Sequence, residues 1–152
     1  MSPAKNRMVR NANTLWVLLT VAPGLYLVIA AIVTWGGRGF ARDQSVVLWL
    51  FLIFVIVSAA QIWLTVFTQT SETFMVSYGP IPRTFQIMVL GSVLSEAHSV
   101  YGLSLTLFSG SIFYAIGFSL VAWASLLWVR GRFKQNLAKL PDAQSSEQNV
   151  GD

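Results

Sequence analysis

Residues 83–108, RTFQIMVLGSVLSEAHSVYGLSLTLF, decide how this chain is to be read. The stretch is long and apolar enough to cross a bilayer, yet it carries Glu96 near its middle and His98 beside it. A bare carboxylate in hydrocarbon costs on the order of 3 kcal/mol by insertion scales, so an acid there is a functional candidate by default. The other strongly apolar runs carry no ionisable group.

The composition agrees with a membrane class. The 152 residues are 55% hydrophobic and 11% charged, with a mean hydropathy of +0.62, whereas soluble domains carry about 25% charged residues. Apolar runs over 14–35, 45–70, 84–108 and 112–129 predict four spans in one domain. The expected fold is therefore an all-α integral membrane four-helix bundle. Residues 1–13 are polar and basic and are expected to fray as an N-terminal tail, and 131–152 to form a tail that is basic and then disordered. Pro23-Gly24 marks a kink point in the first span. Gly36–Gln44, Ser71–Pro82 and Ser109-Gly110-Ser111 read as turns or loops.

Charge placement predicts orientation. Lys5, Arg7, Arg10, Arg83, Arg130, Arg132, Lys134 and Lys139 would share one side, against Arg38 and Arg42 on the other. The positive-inside rule then puts both termini in the cytoplasm, in a multi-pass protein of the plasma or an inner membrane. The net charge of +4 therefore reads as a topology signal, which argues against nucleic acid as a partner. With no cysteine and one histidine, the chain has no thiol chemistry and no multi-histidine metal site, and no cofactor motif is present.

Helical spacing sorts the third span into faces. Gly91, Ser95, His98 and Gly102 form a stripe of mostly small residues suited to close helix packing. Ser92, Glu96 and Ser99 share a neighbouring face, so both hydroxyls are candidate partners of the carboxyl. Glu96 lies about 20 Å along a helix from Arg83, inside a hydrocarbon layer about 30 Å thick. Hydrocarbon disfavours the charged form, so the acid is expected to rest protonated. On the second span Ser58, Gln61 and Thr65 share one face.

Around Glu96–Leu103 the sequence resembles the proteolipid (c) subunit of rotary ATP synthases and ATPases. Glu96 is followed by Tyr101-Gly102-Leu103, a Glu-x-x-x-x-Tyr-Gly-Leu pattern common in that family, and Arg83 precedes the helix. The resemblance implies that Glu96 binds and releases the ion, that Tyr101 helps to hold it and that Gln61 supports it from the preceding span. Ala97, where sodium-binding members have Ser or Thr, resembles the proton-binding pattern.

Two readings of function follow. In the first, the protein is proteolipid-like and translocates protons through Glu96 as part of a larger membrane complex. In the second it is a non-catalytic four-span assembly or scaffold subunit. There Glu96 is a structural hydrogen-bonding group, and packing runs through Gly91, Ser95, His98 and Gly102 and through Gly110, Gly117 and Ala124 of the fourth helix. The partners expected are the lipid bilayer and other membrane subunits or further copies of the chain. A membrane enzyme is the weakest reading, because Glu96 and His98 at i, i+2 point to different faces and no nucleophile accompanies them.

Overall fold

The structure, a computed structural model, describes residues 3–37, 43–71 and 79–140. Four helices hold nearly all of them: α1 (Pro3–Trp35), α2 (Gln44–Thr70), α3 (Pro80–Ser109) and α4 (Ile112–Ala138). There is no strand among the described residues.

The helix ends have local causes. Asp43 caps α2, its carboxylate accepting the Ser45 amide at 3.1 Å. These hydrogen bonds hold the carboxyl below its ordinary range. Pro80-Ile81-Pro82, expected in a loop, instead opens α3 behind Gly79. Proline fits the first turn because amides there have no intrahelical acceptor to lose. Gly110 ends α3 in the left-handed region, φ 72°, and its amide donates back to the Thr106 carbonyl at 2.8 Å. The reversal takes only Gly110 and Ser111 because glycine adopts that backbone without steric cost.

The N-terminal segment 1–13 differs from the tail expected of it: from Pro3 onward it is helix, continuous with the rest of α1 through Pro23. At 33 residues α1 is about 50 Å long, well beyond a hydrocarbon layer of about 30 Å. α4 also runs past the expected limit of its span, to Ala138. The two overhangs cover each other. Met8, Ala12, Met88, Val129 and Phe133 form a buried cluster, and Lys5 Nζ donates to the Leu140 carbonyl at 3.2 Å. The Arg130 guanidinium lies 3.7 Å from the centre of the Trp16 ring, a cation–π contact. Residues 141–152 of the expected C-terminal tail, like 38–42 and 72–78 of the loops, lie outside the described residues.

The chain runs up and down, and its two described ends meet at one end of the bundle. α3 packs against each of the other three helices. α4 packs on α3 and α1, α2 leans on α3 with a narrow contact to α4, and α1 and α2 do not meet. Residues Val47, Phe51, Phe54, Ser58, Gln61, Thr65 and Thr68 of α2 recur every three or four positions. They form the seam laid against the α3–α4 side, where Ser58, Thr65 and Thr68 are buried and Phe54 stacks on Tyr101.

The side-chain distribution is the reverse of a water-soluble bundle. The outside is studded with Val, Leu, Ile, Trp and Phe, while Ser92, Ser95, His98, Ser99, Thr106 and Ser119 are almost wholly buried. Apolar surface on that scale suits a lipid environment. α1, α2 and α4 are long and apolar enough to cross a membrane. α3 is as long, at 30 residues, and less apolar. Its central place explains the difference, since a helix walled in by three others presents little surface to lipid and can be lined with small and polar residues.

Candidate functional site

Glu96 stands half-buried where α3 faces α1. The hydroxyl of Tyr26 donates to its Oε1 at 3.1 Å, joining helices 70 positions apart in sequence. α1 is set in rotation for this contact by two tryptophans. Trp16 Nε1 donates to the Leu126 carbonyl at 3.4 Å, and Trp123 Nε1 donates to the Thr20 carbonyl at 2.9 Å. The Trp123 ring passes beside Gly24, where a Cβ would meet it in ordinary contact at 3.9 Å. Tyr26 follows two residues later, on the side turned to α3.

Among the described residues Tyr26 is the one hydrogen-bond partner of the Glu96 carboxyl. Ser92 and Ser99 share its general direction, but their hydroxyls are buried without partners and do not reach it. A serine side chain extends one atom past Cβ, too short to bridge a helical turn to a carboxyl that leans toward α1.

The residues that the proteolipid resemblance groups together fall into two separate sites. Gln61 Nε2 donates to the Tyr101 hydroxyl at 2.8 Å, on the α2 side of α3. Tyr101 is held there by stacking on Phe54, with ring centres 4.8 Å apart, and by an edge contact with Phe118. Five residues turn a helix through about 140° beyond a full turn, and here Glu96 turns to Tyr26 of α1 while Tyr101 turns to Gln61 of α2. A strip of Val93 and Val100, both exposed, with half-buried Ala97 runs between them.

His98 belongs to neither site. It is 1% exposed, and its Nδ1 lies 3.1 and 3.0 Å from the carbonyl oxygens of Leu94 and Ser95. Both neighbours are acceptors, so Nδ1 carries the hydrogen and Nε2 is left buried without a partner. No group of three His, Cys, Asp or Glu residues among the described residues could hold a metal ion.

Close packing is carried by part of the expected set. A Cβ on Gly102 would lie 2.8 Å from Phe118 Cβ and 2.9 Å from the Tyr114 carbonyl oxygen. One on Gly91 would lie 2.8 Å from Gln69 Nε2 and 3.1 Å from Val129. Ser95, buried between them, donates to the Gly91 carbonyl at 2.7 Å. Gly117 and Ala124 do not take part, since both are exposed and a Cβ on Gly117 meets nothing within 4 Å. α4 packs instead through Ala115, Phe118, Ser119, Ala122, Leu126 and Val129, the stripe one to two positions away.

Sequence reading missed Tyr26, the partner that matters most. The signal available was a phenol in the middle of an otherwise apolar run, since a buried tyrosine hydroxyl usually finds a partner. Comparison with protein-family models, with curated proteins and with solved structures finds no match to this chain.

Proposed function

We propose that all four helices cross the bilayer with both termini in the cytoplasm, and that Glu96 binds and releases a proton as part of a larger membrane complex. The observation that carries this reading is the Glu96–Tyr26 pair. It is the one acid within the described helices, half-buried at a helix seam, with a single neutral donor and no cation as partner. Intramembrane carboxyls in such places mark proton or ion pathways. Loaded, the neutral acid sits in the seam with its carbonyl oxygen accepting from Tyr26. On release the proton leaves the carboxyl oxygen, and the same phenol donates to the carboxylate that remains, softening the cost of charge in a medium of low dielectric. A cation or water path brought by a partner subunit would complete the release.

The likeness to proteolipids enters this proposal through Glu96 alone, with Tyr26 replacing Tyr101 and Gln61 as the holding group. The scaffold reading draws on a different observation, the tight approach of α3 and α4 at Gly102.

Carbodiimide modification of the intact protein in membranes tests the proposal, because that reagent needs a protonated carboxyl shielded from water. Labelling should fall as pH rises, vanish in Glu96→Gln and shift its pH profile in Tyr26→Phe. Wild-type protein that stays folded and is not labelled at Glu96 at any pH overturns the proton reading and leaves the scaffold.

A further inference from the structure

α1 and α4 frame a cavity of about 320 Å³ at the point where both leave their apolar runs, at the small end of the range for ligand sites. Its floor is apolar, with Ala12, Met88 and Phe133 of the buried cluster, and its polar lining is Asn13, Arg130 and Lys134. The sequence gives its level. Asn13 is the last residue before the apolar run 14–35, and Arg130 is the first after the run 112–129. The two helices therefore mark the same boundary between hydrocarbon and water with residues that line one cavity. Trp16 lines it too, as suits a tryptophan at a membrane interface.

The cation is held ready for an anion. Trp16 is fixed by the bond from its Nε1 to the Leu126 carbonyl, and the Arg130 guanidinium lies 3.7 Å from the centre of that ring. Contact with the ring face places the guanidinium without supplying an acceptor, so its N–H donors remain to be used. Among the described residues neither Arg130 nor Lys134 has a hydrogen-bond or ion-pair partner. Arg130 is half-buried, but none of its nitrogens is among the buried atoms without partners, so its donors reach the surface. Lys134 is exposed and follows one turn later, about 6 Å along α4.

We infer that this cavity binds the phosphate of an anionic phospholipid, with Arg130 and Lys134 on the phosphate oxygens and Asn13 donating to a neighbouring ester oxygen. A guanidinium takes two phosphate oxygens at once, and an ammonium beside it repels the choline of a zwitterionic headgroup, which favours a lipid of net negative charge. The apolar floor keeps water from one side of the contact and so strengthens it. Basic pockets between membrane helices are recurrent headgroup sites, and the boundary level selects a lipid over a soluble phosphate ester. The assignment does not depend on Glu96.

The test is native mass spectrometry of the full chain extracted from vesicles of equal phosphatidylglycerol and phosphatidylcholine. The wild type should retain phosphatidylglycerol in preference to phosphatidylcholine by about tenfold. Arg130→Lys keeps the charge but not the planar fork and should lose most of that preference. Lys134→Gln should lower it by about threefold. Arg132→Gln removes one positive charge from the same helix outside this cavity and should change it by less than about twofold. If Arg130→Lys does not fold, the contrast between Lys134→Gln and Arg132→Gln carries the test. Full retention in Arg130→Lys, or equal losses in Lys134→Gln and Arg132→Gln, overturn the site and leave a general attraction of the basic end for anionic lipid. Equal retention of the two lipids by the wild type also overturns it. In a second arm, glycerol phosphate is added to protein in phosphatidylcholine, and thermal unfolding is followed. Stabilisation of the wild type but not of Arg130→Lys, without lipid retention, gives the site to a soluble phosphate ester and overturns the headgroup assignment.

Discussion

α2 and α3 are similar in length, 27 and 30 residues, and opposite in construction. α2 turns Leu48, Trp49, Ile53, Ile56 and Trp63 outward and buries chiefly Ser58, Thr65, Thr68 and Gln69. α3 buries Gly91, Ser92, Ser95, His98, Ser99, Gly102 and Thr106 and exposes little beyond Val93, Val100 and Phe108. In water the buried stripe of a helix is its apolar one. Here even an outward-facing helix such as α2 buries hydroxyls and amides in its seam, beside the rings of Phe51 and Phe54. Lipid is as apolar as leucine, so burying leucine against a second helix gains little, while small and polar residues gain close approach and hydrogen bonds. α3 is therefore sensitive to side-chain volume, while the outer face of α2 accommodates changes of apolar volume but not a charge.

The largest effect is expected at Gly102. Gly102→Leu must push against the Tyr114 carbonyl and the backbone at Ala115, which cannot swing aside. A loss of about 3 kcal/mol or more is expected, read as failed assembly or a large drop in thermal stability in detergent. Gly117→Leu on the exposed side of α4 should change stability by less than about 0.5 kcal/mol. Equal effects at the two glycines would mean that α3 and α4 are not packed along this seam. Gly91→Ala should fall between them, at about 1–2 kcal/mol, because its closest neighbour is the end of the Gln69 side chain. That side chain can move, at the expense of its bond to Ile87.

The division of α3 into two polar sites is tested by double-mutant cycles. Tyr26→Phe and Glu96→Leu should couple by about 0.6–1.7 kcal/mol, the range of hydrogen bonds between membrane helices. Tyr101→Phe and Glu96→Leu should be additive within about 0.5 kcal/mol, and Tyr101→Phe should couple instead to Gln61→Leu. Coupling of Tyr101 to Glu96 would restore the single ion site implied by the proteolipid resemblance.

These contrasts explain what could be read in advance. Four apolar runs and the Ser109-Gly110-Ser111 reversal are local signals, set by hydropathy and by one glycine at positive φ. The Gly91, Ser95, His98, Gly102 stripe was also legible, because helical periodicity alone assigns it to one face. Which helix that face meets is not local information. Periodicity places Ser92, Glu96 and Ser99 together but says nothing of Tyr26 approaching from another helix. The N-terminal segment misled for a related reason. Lys5, Met8 and Ala12 look like a solvated tail until the overhang of α4 is there to cover them. Pro80 and Pro82 read as a loop because proline breaks helices in their interior, while their position in the first turn shows only once the helix start is known.

The smallest expected effect lies where the two helices begin. α3 opens on prolines, which remove donors that would otherwise need a cap, and no side chain caps it. α2 opens on Asp43, whose carboxylate accepts from Ser45. The folded carboxyl is held below its ordinary range, so its contribution is present above the unfolded value, about 3.9, and is lost as pH falls through the folded value. Acidification should therefore loosen the start of α2 before that of α3, seen as faster amide exchange at Ser45 relative to Arg83. Asp43→Asn keeps a capping oxygen without a titrating group, so its Ser45 exchange should lose this acid dependence while changing little near neutral pH. A Ser45 amide whose protection falls with acid equally in wild type and Asp43→Asn would show that the α2 terminus is held by its packing and not by its cap. The two helix starts would then differ in sequence but not in what secures them.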